Sequence, residues 1–169
     1  MAQRNTYLKE EAIDNSILDL WDVQLAQYGA RIITIRDQFV RKISGYSGKI
    51  HSSITNEKES LFLEYNPNID LKDDIEEQEG YFYDEIKKSF KNDLRQRTTT
   101  KGPHKDDISF YVNGINMRSF GSQGQQRTCA LALKLAELNL IKEETEEDAI
   151  LLLDDVMSEL DIERQKYLI

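Results

Sequence analysis

Two adjacent carboxylates follow an apolar run late in the chain, where Asp154 and Asp155 come directly after residues 150–153 (Ile-Leu-Leu-Leu). Consecutive apolar residues are typical of a strand buried on both faces of a parallel sheet. Ligands bind at the carboxyl edge of such sheets, and Mg²⁺ is held by one or two carboxylates plus waters. The pattern therefore indicates a magnesium ligand beside a group that could activate water. A strand that simply ends in Asp for turn formation explains the same residues equally well.

A second segment has residue types suited to an anion. Ser122, Gln123, Gly124 and Gln125 precede a run rich in Ala and Leu that predicts a helix from residue 122 to about 141. The N–H groups and dipole at a helix start attract a phosphate, the Ser122 hydroxyl can donate to it, and Gly124 lets the backbone approach closely. An ordinary helix N-cap at Ser122 needs no ligand and remains open. The later Ser158 and Asp161 likewise fit a plain helix start.

Upstream, the chain predicts a long helical region over residues 5–53, in one helix or more, with Asp14 or Asn15 as a cap. Apolar side chains recur there at spacings of three, four or seven residues, which predicts one packed face. The members of this stripe are Tyr28, Ile32, Ile35, Phe39, Tyr46 and Ile50.

Shorter elements complete the prediction. Alternating residues predict a strand at 61–65, and helical spacing returns over 74–97. Residues 108–112 and 115–117 predict two strands joined by a type I′ turn at Asn113-Gly114. Residues 143–148 predict an acidic loop, and Asp161 begins a last helix.

Charge and composition narrow the function classes. The net charge is −9, which argues against nucleic-acid binding through bulk charge. Residues 87–127, however, carry nine basic and three acidic side chains. Within them Lys87, Lys91 and Arg95 fall on one helix face and could meet DNA phosphates, although a solvated face explains them as well.

Other features exclude several classes. The single cysteine, Cys129, cannot form an internal disulfide, and we expect it to be a small buried side chain. His51 has no acid or cysteine cluster near it in sequence and is treated as ordinary. No apolar run reaches the length of a membrane span, and the first residues have no signal-peptide core. We therefore expect a cytoplasmic protein with no membrane partner.

The order of these motifs matters more than any one of them. Ser-x-Gly-Gln at a helix start, an apolar strand ending in Asp-Asp and then Ser-x-Leu-Asp resemble the signature motif, Walker B and D-loop of an ABC-type ATPase head. Three further segments carry a narrower resemblance: Gly-Pro-His-Lys-Asp-Asp at 102–107, Phe-Gly-Ser-Gln-Gly-Gln-Gln-Arg-Thr at 120–128 and Leu-Leu-Leu-Asp-Asp-Val-Met-Ser-Glu-Leu-Asp at 151–161. Together they resemble the RecF family of bacterial recombination mediators, which is related to SMC proteins. More loosely, Trp21 and the helices around it resemble the family's helical arm.

The resemblance implies a fold, which is α/β but mainly helical. We expect residues 1–97 to be a helical arm with a short strand near 60–65. Residues 98–169 would be part of an ABC ATPase head.

The resemblance also implies residue roles. The segment Ser122, Gln123, Gly124 and Gln125 would contact the γ-phosphate of ATP held by the opposite subunit. Asp154 would hold Mg²⁺ and Asp155 would be the general base. The D-loop would be Ser158, Glu159, Leu160 and Asp161. Most ABC ATPases have Glu where Asp155 stands, and the shorter Asp predicts slow turnover.

The implied function is a recombination mediator in DNA repair, the SOS response and replication restart. It would bind DNA at single/double-strand junctions, dimerise with ATP and act with other proteins of its pathway. The sequence contains no Walker A motif, so we expect that loop to precede residue 1 and this chain alone to be inactive. The alternative is a helical protein- or DNA-interaction module without catalytic activity. His104 and Lys105 could approach phosphate or a dimer interface, or simply form a tight turn.

Overall fold

The computed structural model describes residues 1–152. Helix α1 (Ala2–Tyr7) and the long helix α2 (Asn15–Ile54) come first, followed by strand β1 (Leu61–Asn66) and helix α3 (Ile75–Gln96). A 3-10 turn (Pro103–Lys105) leads to strands β2 (Asp107–Val112) and β3 (Ile115–Asn116), and then to helices α4 (Met117–Phe120) and α5 (Gln123–Thr145). The predicted class, mainly helical α/β, is confirmed.

Local sequence explains the helix boundaries. The Asp14 carboxylate accepts from the Ser16 N–H at 2.8 Å directly before α2, as predicted. Asp74 caps α3 by accepting from the Glu77 N–H at 2.7 Å, and acidic residues in the first turn complement the helix dipole. Helix α3 ends at Arg97, which has the left-handed φ of 53°.

The sheet has three strands in the order β1-β2-β3. Strands β2 and β3 pair antiparallel, with Tyr111 opposite Asn116 and Val112 opposite Ile115. Positive φ angles at Asn113 (50°) and Gly114 (78°) confirm the predicted type I′ hairpin turn. The prediction that Met117 continues the second strand is wrong, because Asn116 caps α4 instead and Met117 is its first residue.

The chain divides into two compact units, each built from two stretches of sequence. Unit 1 comprises Met1–Gln38 and Asn66–Asp107, and unit 2 comprises Phe39–Tyr65 and Ile108–Ile169. The two units share helix α2, which passes from one to the other near Gln38. The expected division into an arm (1–97) and a partial head (98–169) follows different boundaries and stays a prediction about a longer polypeptide.

Unit 1 is organised around a buried ionic network. Arg4 is 1% exposed, and its guanidinium donates to Asp22 at 2.6 Å and to Asp93 at 2.8 Å. The same side chain donates to the Thr99 hydroxyl at 2.8 Å. Phe82 packs against Gly29 of α2, where an added Cβ would lie 1.7 Å from the ring. This close approach explains a glycine in the middle of a long helix.

Unit 2 is organised around an apolar core, to which α2, β1, β2, α4 and α5 all contribute. Its buried side chains are Val40, Ile43, Ile54, Leu61, Leu63, Val112, Met117, Cys129, Leu131, Ala132, Ala136 and Leu140. Cys129 is 4% exposed, which confirms it as a small buried side chain. Tyr46 and Ile50 pack partly buried against this core.

The predicted packing stripe along α2 is only half right. Tyr46 and Ile50 pack as expected, but Tyr28 and Ile35 are 64% and 63% exposed. In that part of the helix the buried face consists instead of Leu18, Asp22, Ala26, Ala30 and Ile33. The apolar spacing missed this face because two of its positions are not apolar: Asp22 pairs with Arg4, and Gly29 makes room for the Phe82 ring.

Two predictions near the end of the described chain also need correction. Helix α5 runs to Thr145, so Glu143 and Glu144 are helical and the acidic loop is shorter than predicted. Residues 150–152 form no strand, and the side chains of Ile150 and Leu152 are 88% and 89% exposed. A buried strand requires neighbouring strands to pair with, and none of the strands β1, β2 and β3 pairs with residues 150–152.

Candidate functional site at the start of helix α5

The connection into α5 is tightly specified. The Asn116 carboxamide caps α4 by accepting from the Arg118 and Ser119 N–H groups at 3.0 and 3.2 Å. A Cβ on Gly121 would lie 2.6 Å from the Met117 carbonyl oxygen, so only glycine fits there. The Gln126 amide donates to that same carbonyl at 2.9 Å. These hydrogen bonds fix the position of the chain just before Ser122.

Ser122 opens α5 with a reciprocal capping box. Its hydroxyl oxygen accepts from the Gln125 N–H at 3.2 Å, and the Gln125 side chain accepts from the Ser122 N–H at 3.1 Å. Two backbone donors that a helix start leaves without intrahelical acceptors are thereby satisfied. The prediction that Ser122 begins a helix is confirmed. The capping box also shows that Ser122 is an N-cap. Because Ser122 is exposed, an anion can still reach this end of the helix.

The four residues of the predicted motif differ in exposure. Ser122 and Gln123 are exposed, whereas Gly124 and Gln125 are partly buried. Gln125 is turned inward, where its amide donates to the Glu59 carboxylate at 2.9 Å. One turn later Thr128 is fully buried and donates to the Gly124 carbonyl at 2.8 Å. The solvent-facing surface at this helix start is therefore formed mainly by Ser122 and Gln123.

Phe120 stands beside this surface with 78% of its side chain exposed. Arg118, Ser119 and Arg127 are exposed as well. The motif at 120–128 includes Phe120 and Arg127, but the sequence analysis assigned no role to any of these residues. The chemistry presented here is two hydroxyls, helix N-terminal amides, nearby guanidinium groups and one aromatic ring, a set that suits a phosphate-bearing ligand.

A buried histidine lies behind the motif. His51 is fully buried, with its Nε2 atom 3.8 Å from Glu59 Oε2 and 3.7 Å from Cys129 Sγ. Sequence reasoning treated His51 as ordinary and overlooked Glu59. No local signal could have found them, because 78 residues separate His51 from Cys129 and 66 separate Glu59 from Gln125.

The other predicted site residues of the second half fall beyond the described chain. Asp154, Asp155, Ser158, Glu159, Leu160 and Asp161 all lie outside residues 1–152. Their assignment as magnesium ligand, general base and D-loop stays a prediction. Within residues 1–152, no group of three His, Cys, Asp or Glu side chains is arranged to hold a metal ion.

The predicted DNA-contacting face on α3 is not uniform. Lys87 forms ion pairs with Asp19 at 2.5 Å and with Asp22 at 3.0 Å, so its charge is used inside unit 1. Although partial burial opposes the charged form, the hydrogen bonds to these two carboxylates raise the pKa of Lys87. Lys91 and Arg95 are exposed, and Arg95 donates to Asn92 at 2.8 Å. DNA binding by this face stays a prediction that depends mainly on Lys91 and Arg95.

His104 and Lys105 occupy the 3-10 turn, both exposed. His104 Nε2 lies 2.9 Å from the Thr99 carbonyl oxygen. Arg36 donates to the Pro103 carbonyl and pairs with Asp106 at 2.9 Å. A tight turn is therefore sufficient to explain the segment, and a phosphate contact stays untested.

No helix among the described residues is long and apolar enough to cross a membrane. No family model matches the chain.

Curated proteins match the whole chain closely. It is 42% identical over 174 residues to the DNA replication and repair protein RecF of Acetivibrio thermocellus, with all of this chain and 47% of that protein covered. It is 45% identical over 172 residues to RecF of Agathobacter rectalis, covering 45% of that protein. RecF of Streptococcus suis is 46% identical over 166 residues, covering 98% of this chain and 45% of that protein. The chain belongs to the RecF family.

Solved RecF structures agree with this assignment. The recombination mediator protein RecF of the RecFOR pathway, in structures described as RecF-ATP and RecF-ATPrS, superposes with a TM-score of 0.88 in both cases. Sequence identity is 40%, and the match covers 99% of this chain and 46% of each RecF chain. The chain thus spans about half the length of the RecF proteins it matches, and the resemblance seen in its motifs is confirmed.

Proposed function

We propose that this chain provides the signature-motif side of an ATP-dependent switch in a recombination mediator. The observation that carries the proposal is the start of α5, where an exposed Ser122 caps a 23-residue helix and presents its N-terminus to solvent. Relatives solved in the forms described as RecF-ATP and RecF-ATPrS support nucleotide as the ligand. In the full-length protein, ATP would bridge two subunits, one of which supplies Ser122, Gln123 and Gly124.

The whole protein would act in DNA repair and replication restart as an ATP-dependent homodimer that binds DNA, working with other proteins of the RecFOR pathway. Asp154 would hold Mg²⁺ and Asp155 would orient the attacking water, while Ser158, Glu159, Leu160 and Asp161 would reach across the dimer. Slow hydrolysis would act as a release step. Asp155→Asn should then preserve ATP-dependent dimerisation and abolish hydrolysis.

The decisive experiment separates capping from ligand contact at Ser122. Aspartate is as good an N-cap as serine, so Ser122→Asp should keep α5 intact. Its carboxylate would repel the γ-phosphate, so full-length Ser122→Asp should lose ATP-dependent dimerisation measured by sedimentation. Ser53→Asp, which adds the same charge at an exposed serine of α2 outside this surface, is the matched control and should dimerise normally. Normal dimerisation of Ser122→Asp would refute the proposal.

DNA binding has its own test on α3. Lys91→Glu combined with Arg95→Glu should weaken DNA affinity. It should also reduce the steepness with which the logarithm of the binding constant falls with the logarithm of salt concentration, by roughly 0.9 for each phosphate that is no longer neutralised. Lys9→Glu combined with Lys134→Glu changes the net charge equally at exposed positions on other helices or loops. An unchanged slope in the Lys91/Arg95 variant, with the control also unchanged, would show that this face does not bind DNA.

A second function is favoured by the exposed apolar face of α2 in unit 1. Tyr28, Ile32 and Ile35 are 41–64% exposed, which is unusual for a helix face of this length. A helical interaction module with no chemistry of its own would use such a surface. Supplying the remaining half of the RecF polypeptide in trans decides between the two. Recovered ATPase activity that Ser122→Asp abolishes supports the switch.

A further inference from the structure

The inward side chain of Gln125 has its hydrogen-bonding groups directed at protein partners. Its Oε1 atom accepts from the Ser122 N–H at 3.1 Å, and its Nε2 atom donates to Glu59 Oε1 at 2.9 Å. A side chain held at both ends of its amide cannot turn outward to a phosphate without breaking these bonds. The role predicted for Gln125 as a direct ATP contact is therefore better given to its neighbours Ser122, Gln123 and Gly124.

Glu59 is placed unusually for a carboxylate. It follows the turn at residues 55–58, only 17% of its side chain is exposed, and its Oε2 atom is buried without a hydrogen-bond partner. A buried carboxylate is costly unless its charge is used. Here one oxygen accepts a charge-assisted hydrogen bond from the Gln125 amide, and the other faces the His51 ring at 3.8 Å.

His51 connects this arrangement to the core of unit 2. It lies in the last turn of α2, and its Nε2 atom is also 3.7 Å from the sulfur of Cys129 in α5. The series Cys129, His51, Glu59, Gln125 and Ser122 thus runs from the buried body of α5 back to its exposed first residue. A shift of α2 or of the turn before β1 would be transmitted to the cap of α5 through Glu59.

Resting on the proposed function, we propose that Glu59 and Gln125 are positioning residues for the nucleotide-contacting start of α5. Glu59 fixes the rotation of the Gln125 side-chain amide, and the oxygen of that amide in turn holds the Ser122 N–H. The start of α5 is thereby set before nucleotide arrives, so that ordering it costs nothing when ATP binds. Neither residue touches nucleotide.

Exchanging the two side chains tests this directly. Glutamate at the third helical position completes a capping box as well as glutamine does, so Gln125→Glu keeps the local cap. It also places a second carboxylate against Glu59. The double variant Glu59→Gln with Gln125→Glu restores the hydrogen bond with donor and acceptor reversed. A purely local role for Gln125 predicts that the single variant is harmless.

We expect Gln125→Glu in the full-length protein to raise the ATP concentration for half-maximal dimerisation about tenfold, the worth of a hydrogen bond to a charged group. The double variant should return it to about twofold of wild type. Glu57→Gln, which removes an exposed carboxylate from the same turn, is the matched control and should change nothing. Two results would overturn the proposal. One is that Gln125→Glu dimerises at the same ATP concentration as wild type, and the other is that the double variant needs as much ATP as the single variant.

A nucleotide-free measurement keeps this inference separate from the proposed function. Hydrogen exchange at the Ser122 and Gln125 amides should accelerate about tenfold in Gln125→Glu and return in the double variant. If the wild-type protein does not dimerise with ATP, the proposed function is wrong. Hydrogen exchange without nucleotide would still test whether Glu59 and Gln125 position the start of α5. Equal exchange in all variants would overturn the positioning role by itself.

Discussion

The centres of the two units differ: both units bury apolar side chains, but unit 1 also buries an ionic network. At the centre of unit 1 lie Arg4, Asp22, Asp93 and Thr99, each at most 1% exposed and joined by hydrogen bonds of 2.6–2.8 Å. The centre of unit 2 is aliphatic, from Val40 through Leu63 to Leu140. Ion pairs demand defined directions, whereas an aliphatic core tolerates repacking. Unit 1 should therefore fail sharply when one partner is removed, and unit 2 in proportion to the volume removed.

The same contrast runs along α2, which serves both units. Within unit 1 its buried face places Asp22, Ala26 and Ala30 between the apolar Leu18 and Ile33, whereas Tyr28 and Ile35 face solvent. Within unit 2 its apolar side chains Val40 and Ile43 enter the core. One helix thus changes the chemistry of its packed face along its length, because its partners change from a guanidinium and an aromatic ring to aliphatic groups.

The largest effect is expected at Arg4. Arg4→Ala would leave the Asp22 and Asp93 carboxylates in the interior without the guanidinium that they share. Removing one partner of a buried ion pair costs about 3–5 kcal/mol, and we expect that decrease in the free energy of unfolding measured by urea titration. Arg31→Ala, at an exposed arginine 3.9 Å from Glu79, should cost less than about 1 kcal/mol. Equal decreases for both variants would remove the contrast between the units.

In unit 2 the corresponding variant is Leu63→Ala. Leu63 is 3% exposed in the apolar core, and truncation of a buried leucine costs about 2–5 kcal/mol. Phe62 lies next to it on β1 but is 57% exposed, so Phe62→Ala should cost far less despite the larger side chain removed. Urea titration of both variants checks this assignment. A larger decrease in the free energy of unfolding for Phe62→Ala than for Leu63→Ala would show that the face of β1 with Leu63 is not the one packed in the core.

Glycines in α2 offer a finer comparison. An alanine Cβ at position 29 would overlap the fully buried Phe82 ring, so Gly29→Ala should destabilise by about 1–3 kcal/mol. At Gly45 an added Cβ would meet no atom within 4 Å apart from the backbone of α2 itself, and Gly45→Ala should stabilise by about 0.5–1 kcal/mol. Thermal unfolding of both variants tests this, and shifts of the same sign would contradict it.

Low pH should destabilise unit 1 through the ion pair between Asp19 and Lys87, which adjoins the buried network. Hydrogen bonds from Lys87 and then Tyr83 lower the pKa of Asp19. Because the folded-state pKa is below the unfolded value, the stability from Asp19 is present above about pH 4 and disappears as pH falls through the folded pKa. Asp19→Asn should therefore lower stability at pH 7 and flatten its decline below about pH 4, followed by urea titration at several pH values. An unaltered pH profile would exclude this contribution.

The smallest effect is expected on the exposed face of α2. Ile35 is 63% exposed, so Ile35→Ser should change the free energy of unfolding by no more than about 0.5 kcal/mol. Ile33→Ser, two residues away and fully buried, is the matched comparison and should cost several times more. A large decrease from Ile35→Ser would show that this face packs within the chain.

Much of the local structure can be predicted from the sequence. The cap at Ser122, the turn at Asn113-Gly114 and one of the two predicted caps of α2, Asp14, are confirmed, because each depends on hydrogen bonds or backbone angles within a few residues. Met117 and Glu143 were assigned wrongly at element ends, where a side-chain cap or one further helical turn decides the boundary. The buried strand predicted for residues 150–153 needs partner strands that local sequence cannot specify.

The sequence by itself determined the family, the helix starts and the hairpin, since motif order and short-range hydrogen bonding are encoded in neighbouring residues. Only the tertiary structure decided which face of α2 is buried and how the start of α5 is held. Burial depends on what packs opposite, and the distant partners of Arg4 and Gln125 come from 18 to 95 residues away along the chain. Spacing within one helix contains no information about such partners.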